Sequence, residues 1–514
     1  MHRLFTDGFL VDTDNVCKYL QAHEVGRFSQ TTKALLPLRH HHLYLCTTHH
    51  ESVVTILRSI RTYNLARIVR IDLAVNNDRH VLTLAYVAFP VCTALQSLTL
   101  RRVHGDYELR NTGISGSALV ELLSDLPTSL VELHLAVNMA REGLRFIAQH
   151  MHTNPQACAV LRTLDPSAFC LGPDSLHHVQ KMASLCHNLE TFRITCIAES
   201  NLLPLLQALT RSFWTLHTLG IQGHALNDQE ATFLGQHMTG TLRHLHVVLG
   251  TTAFGTTHLM EGLAQKARRL QHFRIVKETR QPNHDLIYSL SKTLPSLAQL
   301  RHLDINCLLN DDTHVPVLLH NLPRQRLHTL HLALPLHDGH AIDLARALVQ
   351  HTDVSPLQRL KIHTEMHFDA GIRALGDVLD CLTSLTHLDL SSVSARRGGM
   401  VSLLFRLPSL PRLEILDLAR GTTTDVEAMA LATVLPECNR LHTILLYDNC
   451  ITDIGAAALA QHMRRNMNSA TSLTLIDLSD NHIFHKGAAK LYRATTHLHR
   501  LKLNLELTDY DTCR

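Results

Sequence analysis

The stretch LTHLDL (residues 385–390) alternates apolar and polar positions behind a leading Leu, so a short strand built from it turns Leu388 and Leu390 to one side and His387 and Asp389 to the other. The pattern returns as LEILDL (413–418), LHTILL (441–446), LTLIDL (473–478) and LHRLKL (498–503), and upstream as LRHLDI (300–305) and LHTLHL (327–332). More divergent copies start at Ile68, Leu95, Leu130, Leu189, Leu216, Leu242, Leu270 and Leu357, and a degraded one, LRTLDP, at Leu161. Together they make 16 copies between Ile68 and Leu498, about 29 residues apart on average.

One such strand buries too little apolar surface to stand alone, and the stretches between strands supply its cover. In DIGAAALAQHMRRNM (453–467), Ile454, Ala457, Ala458, Leu459 and Met463 are expected on one helical face behind an Asp or Thr that caps the start. A chain of 514 residues exceeds what one hydrophobic core usually serves, about 250–300 residues, and stacked repeats escape that limit. Motif and spacing resemble the leucine-rich-repeat family over nearly all of residues 51–514, and the long repeat is similar to its ribonuclease-inhibitor-like subclass. The resemblance implies an α/β solenoid with a curved parallel sheet on the concave face and helices on the convex face. The family's turn-stitching Asn is matched at Asn76, Asn138, Asn449 and Asn481. The middle repeats hold His224, Gly250, Glu278, Leu308, Pro335 and Glu365 there, so less regular turns are expected between residues 190 and 380. Wider spacings mark insertions, and RRVHGDYELRNTGISGS (101–117) is expected to project as a loop.

The third and fifth motif positions face away from the core and would line the concave face. Among them, His244, His246, His272, Arg274, His302, His331, Arg359, Lys361 and His387 make the centre basic and imidazole-rich, while Asp389, Asp417 and Asp477 make the far end acidic. His244, His272 and His302 are expected to form a ladder on neighbouring strands, which lie about 4.8 Å apart. Three readings stay open: a docking surface for an acidic partner, tuned by imidazole protonation; a metal site, against which a straight ladder lacks tetrahedral convergence; or solvated histidines that simply reflect a chain with 40 His.

Residues 1–50 carry no recognised copy of the repeat. Val16, Tyr19, Leu20, Val25, Phe28, Leu35 and Leu36 recur at intervals that suit short amphipathic helices, stopped by Pro37. With Tyr19-Leu20, His23-Glu24-Val25, Phe28-Ser29, Thr32-Lys33 and Leu43, the run resembles an F-box, although that family's initial Leu-Pro and terminal Trp are absent. The resemblance implies docking to a Skp-type adaptor of a cullin-type ubiquitin ligase through Leu20, Val25 and Phe28. The alternative is a helical cap that shields the first repeat.

Composition narrows the remaining chemistry. A formal charge of +3 without a basic run gives little support to nucleic-acid binding. No apolar stretch reaches the ~18 residues needed to span a bilayer, and the first residues do not read as a secretory signal. The 12 Cys include no CxxC pair, as expected of reduced thiols in a cytoplasmic or nuclear protein. RHHHLYLCTTHH (39–50) and HDGH (337–340) match no zinc spacing and are expected as surface helix end or turn; neither a metal nor any other cofactor is implied. No catalytic motif appears. The expected function is therefore protein recognition without enzymatic activity, as a ligase substrate adaptor or a structural scaffold subunit. A RanGAP-like GTPase activator using Arg101, Arg102, Arg396, Arg397 or Arg420 is a third reading, for which no motif is matched.

Overall fold

Most described repeats place their alternating residues in a strand and the next apolar run in a helix, and the strands associate in parallel as such helical crossovers require. A computed structural model describes residues 42–45, 69–75, 78–90, 92–102, 114–137, 141–165, 170–197, 200–277, 284–307, 313–323, 325–349, 355–364, 369–395, 398–466, 472–496 and 501–505. The chain falls into two compact units, Met1–Val248 and Leu249–Arg514.

In the first unit the described strands are His42–Leu45 (β1), Arg70–Val75 (β2), Ser97–Arg102 (β3), Glu132–Ala136 (β4), Leu161–Leu164 (β5), Cys170–Leu171 (β6), Thr191–Cys196 (β7), Thr218–Leu226 (β8) and His244–Leu249 (β9), the last of which reaches the division. In the second they are His272–Lys277 (β10), His302–Cys307 (β11), Thr329–Ala333 (β12), Arg359–His363 (β13), His387–Asp389 (β14), Ile415–Asp417 (β15), Thr443–Leu445 (β16), Leu475–Asp477 (β17) and Lys502–Asn504 (β18). Successive strands of the second unit pair in parallel with matched motif positions, as in His272↔His302↔Thr329↔Arg359↔His387. This is the leucine-rich-repeat solenoid fold, of α/β class. Leu303, Ile305, Leu330, Leu332 and Ile362 form part of a fully buried ladder, while the alternate residues of the same strands stay partly exposed. Among the described residues, no helix is long and apolar enough to cross a membrane.

The structure corrects three expectations. Residues 42–45 are not a helix end or loop: β1 pairs with β2 in register, Leu43 opposite Ile71 and Leu45 opposite Leu73, so HLYL is a further copy of the strand pattern. The buried face of the helix Asp453–Asn466 is Ala456, Leu459, Ala460 and Met463, spaced for one stripe, whereas Ile454 is 66% exposed. The degraded repeat at Leu161 splits into β5 and β6, both paired with β7, after a register shift against β4. Of the loop expected over 101–117, the ends belong to β3 and the helix Gly116–Ser124, and residues 103–113 lie outside the described residues. So do Asn76, Asn138 and residues 1–41, including Leu20, Val25 and Phe28.

Polar stitching between repeats takes two forms. Asn449 and Asn481 are buried; Asn449 Nδ2 donates to Leu418 O (2.9 Å) and Leu446 O (3.0 Å), and its Oδ1 accepts from the Thr423 N–H (2.9 Å). Asn481 repeats this with Leu446 O (2.7 Å), Leu478 O (3.1 Å) and the Ile451 N–H (3.0 Å). An acidic residue at the start of one helix also binds the N-terminus of the next. Asp425 Oδ1 accepts from Thr452 N and Gly455 N (2.8 Å each), Asp453 Oδ1 from Phe484 N (2.8 Å) and Gly487 N (2.9 Å), and Asp338 Oδ1 from Gly371 N (2.8 Å). These carboxylates satisfy amides that have no partner within their own helix.

Where the Asn is missing, the middle repeats bury other polar groups. His224 Nε2 lies 2.9 Å from Glu230 Oε2, and Glu230 also accepts from Leu202 N (2.7 Å) and Asn227 N (3.0 Å) at zero exposure. Burial pushes the Glu230 carboxyl up, but its bonds to His224, Asn227 and Leu202 outweigh that and hold it below its ordinary range. Lys277, also buried, donates from Nζ to Thr251 O (2.8 Å).

Candidate functional site on the sheet face

In the second unit the half-exposed positions of the strands form rows set by the parallel register. The third-position row runs His272, His302, Thr329, Arg359 and His387 across β10–β14, and the second-position row beside it runs Gln271, Arg301, His328, Gln358 and Thr386. Neither row holds a carboxylate over these five strands; the first is Glu414, before β15. The His272 and His302 rings stack at 3.8 Å with 8° between planes, and the His302 and His328 centroids lie 6.3 Å apart. His302 Nδ1 pairs with Thr329 Oγ1 at 2.9 Å.

The fifth-position row differs in kind. Arg274 Nε lies 3.2 Å from Asp304 Oδ2, His331 Nδ1 lies 2.8 Å from Asp304 Oδ1, and Lys361 Nζ lies 2.6 Å from Asp389 Oδ2. Asp304 Oδ1 receives no aligned hydrogen bond, so its contact with His331 attracts through charge when the imidazole is protonated. Arg274, His331 and Lys361, expected as partner-binding cations, thus already face acids, and their exposed pairs contribute little to stability. Asp417 sits opposite Asp389; burial and then that neighbour push its carboxyl up, although the Ala419 N–H holds against them. Partial burial also pushes Asp477 up, but Ser479 and Asn504 outweigh that and keep it low.

Two of the expected histidines are held below the ordinary imidazole value. Burial, then the positive fields of His272, His328, Arg359 and Arg301, push His302 down to about 4. Burial and Arg359 also lower His387. Proton tuning near neutrality therefore does not arise at His302. His244 and His246 lie on β9 in the first unit, where Gln222 Nε2 donates to His246 Nδ1 (3.1 Å). Of the ladder expected from His244, His272 and His302, the structure shows the stacked pair His272–His302 within one unit.

The other candidates separate cleanly. HDGH is not wholly a surface turn: the helix Asp338–Val349 begins inside it, His337 is exposed, and His340, on the first turn, is 3% exposed with its ring 3.6 Å from that of His337. Arg420 takes a left-handed backbone (φ 57°) and lies over the Tyr447 ring at 5.5 Å; Arg396 and Arg397 lie outside the described residues. No group of three metal-ligating side chains occurs among the described residues. Sequence reasoning missed Arg301 and His328, which occupy the second motif position; the signal was the motif itself, read one residue earlier.

No family model and no curated protein matches the chain. Among solved structures, all leucine-rich-repeat proteins, it is similar to an internalin from Listeria monocytogenes (14% identity, TM-score 0.39, covering 72% of this chain and 94% of that one). It is also similar to a chain of the mouse RP105/MD-1 complex (15%, 0.37, 80% and 71%) and one of the TLR13–ssRNA13 complex (14%, 0.40, 87% and 64%).

Proposed function

We propose that this protein is a non-enzymatic recognition module that binds a protein partner on the exposed face of its parallel sheet. The observation that carries the reading is the graded polar face of the second unit: one side of each strand is sealed in the core, and the other presents two carboxylate-free rows over β10–β14 beside a fifth-position row of ion pairs at Asp304 and Asp389, turning acidic at Asp389 and Asp417. Such a face offers many shallow polar contacts and no convergent catalytic set. In this reading residues 51–514 form the recognition array, similar to the ribonuclease-inhibitor-like subclass in alternating strand with helix. Residues 1–50 are its F-box-like or capping preface, with β1 already paired onto β2.

A photo-crosslinking residue at Thr329 or Thr443, on the sheet face, should capture a partner that the same residue at Thr433, exposed on the helix Asp425–Val434, does not. Capture from Thr433 alone would overturn the assignment. For the preface, the intact chain should bind a recombinant Skp-type adaptor, and a protein lacking residues 1–41, which keeps β1, should not. An intact chain that ignores the adaptor would leave the cap as the function of this segment.

A further inference from the structure

Resting on the recognition reading above, we infer that Arg301, His302 and Arg359 form a carboxylate subsite that takes an acidic segment of the protein partner, lying across β11–β13 with Asp or Glu residues two or three positions apart. Three observations converge on it. Arg301 and Arg359 are exposed and, among the described residues, have no carboxylate partner, whereas Arg274 and Lys361 nearby are each paired. Arg301 stands immediately before β11 and Arg359 opens β13, with β12 between those strands, so two strand spacings of about 4.8 Å set their backbones about 10 Å apart. An extended peptide rises about 3.3 Å per residue, so side chains two or three residues apart reach both guanidinium groups. Close to both arginines, His302 stacks on His272 and pairs with Thr329 through Nδ1, which fixes its ring and leaves Nε2 as a further hydrogen-bonding group.

The field explains the choice of ligand. Every titratable group acting on His302 is cationic or an imidazole: His272, His328, Arg359 and Arg301. A carboxylate placed among them relieves repulsion that the folded chain otherwise carries, and its bidentate fit to guanidinium gives direction as well as charge. The small number of fixed cations favours a few spaced carboxylates over a continuous polyanion, whose binding draws on many phosphate contacts.

The test uses the full chain and a fluorescein-labelled peptide of alternating Glu and Gly, followed by anisotropy at low salt. Arg301→Gln/Arg359→Gln should weaken binding roughly tenfold or more. Arg268→Gln/Arg269→Gln removes the same charge from two exposed arginines after the helix Ala253–Lys266 and should leave binding near wild type. Equal weakening in both variants, or in neither, overturns the subsite. So does a single-stranded oligouridylate that binds more tightly than the peptide and is lost with Arg301 and Arg359. The photo-crosslinking from Thr329 and Thr443 is independent of this readout: a partner captured there while the peptide ignores Arg301 and Arg359 removes the subsite and leaves the recognition face.

Discussion

Replacing Asp453 by Ala removes the one oxygen shared by two amides at the start of the following helix, Phe484 N at 2.8 Å and Gly487 N at 2.9 Å. Hydrogen bonds to a charged acceptor contribute about 1.5–3 kcal/mol each. The Phe484 amide lies beside an exposed side chain and regains water, whereas Gly487 is buried and its amide loses its acceptor outright. The expected loss is therefore about 2–3 kcal/mol, and about 1 kcal/mol for Asp453→Asn, which keeps a neutral acceptor. Gly487→Ala attacks the same seam from the other side: a Cβ there would overlap Asp453 Oδ1 and stand 3.0 Å from the Asp453 Cα and 3.1 Å from the Ala456 Cβ. We expect about 2–4 kcal/mol from that crowding, and less than additive loss in the double variant, because the bond can be broken only once. Repeat arrays need not unfold all at once, so hydrogen exchange of individual segments is the appropriate assay. Amides of the helix His485–Thr495 should exchange roughly 30- to 150-fold faster in Asp453→Ala, with the helix Asp369–Asp377 unchanged. Unchanged protection in 485–495, or equal loss in both helices, would refute the clamp.

Other outcomes follow from the same geometry. Asn449→Ala and Asn481→Ala should each cost about 2–3 kcal/mol, read as local exchange, because each leaves a buried N–H and two carbonyls without the side chain that served them. Glu230 has a lowered folded pKa, so its contribution is complete above its ordinary 4.5 and is lost as pH falls through the lower folded value; Glu230→Gln should flatten that acid limb of a stability-against-pH curve, and an unchanged limb would count against the pair. His302, lowered from 6.5 to about 4, should show ring proton resonances that stay constant from pH 8 to about 5. Its folded form resists protonation, so its contribution to stability is present above 6.5 and lost as pH falls toward 4, which His302→Gln should remove.

The strand pattern was legible because burial demands it: Leu at alternating positions cannot be replaced without opening the core, and every assigned copy whose strand is described forms one. The first strand was not, because His40 stands where the leading Leu would be and the surrounding histidines drew attention to metal chemistry. The face of the helix Asp453–Asn466 was misread through Ile454, whose apolarity outweighed the spacing of Ala456, Leu459, Ala460 and Met463. The seams were partly written in the chain. D-A-G at 369–371 and D-I-G at 453–455 repeat the acid-to-glycine spacing of the clamp, and N-D-Q-E at 227–230 reads as the capping box that Asn227 and Glu230 make. No local pattern announces that Lys277 is buried or that Arg301 and Arg359 lack a carboxylate partner among the described residues while Arg274 has one, since those facts depend on which residue stands on the next strand.

The two kinds of stitching divide the chain by how freely it can be edited. Where Asn449 and Asn481 bind the turn before them, and Asp425 and Asp453 the helix after them, each unit presents the same polar contacts on entry and exit. A unit can there be duplicated, excised or exchanged in frame with its neighbours still finding matching partners, which is how arrays of this kind gain and lose length. The segment around His224, Glu230 and Lys277 is tied in another way, because Glu230 gathers His224, Leu202 and Asn227 while Lys277 reaches Thr251 O, contacts that depend on those particular residues. Exchange of whole units is thus easiest where both seams recur together, while the segment around Glu230 is better suited to change by substitution.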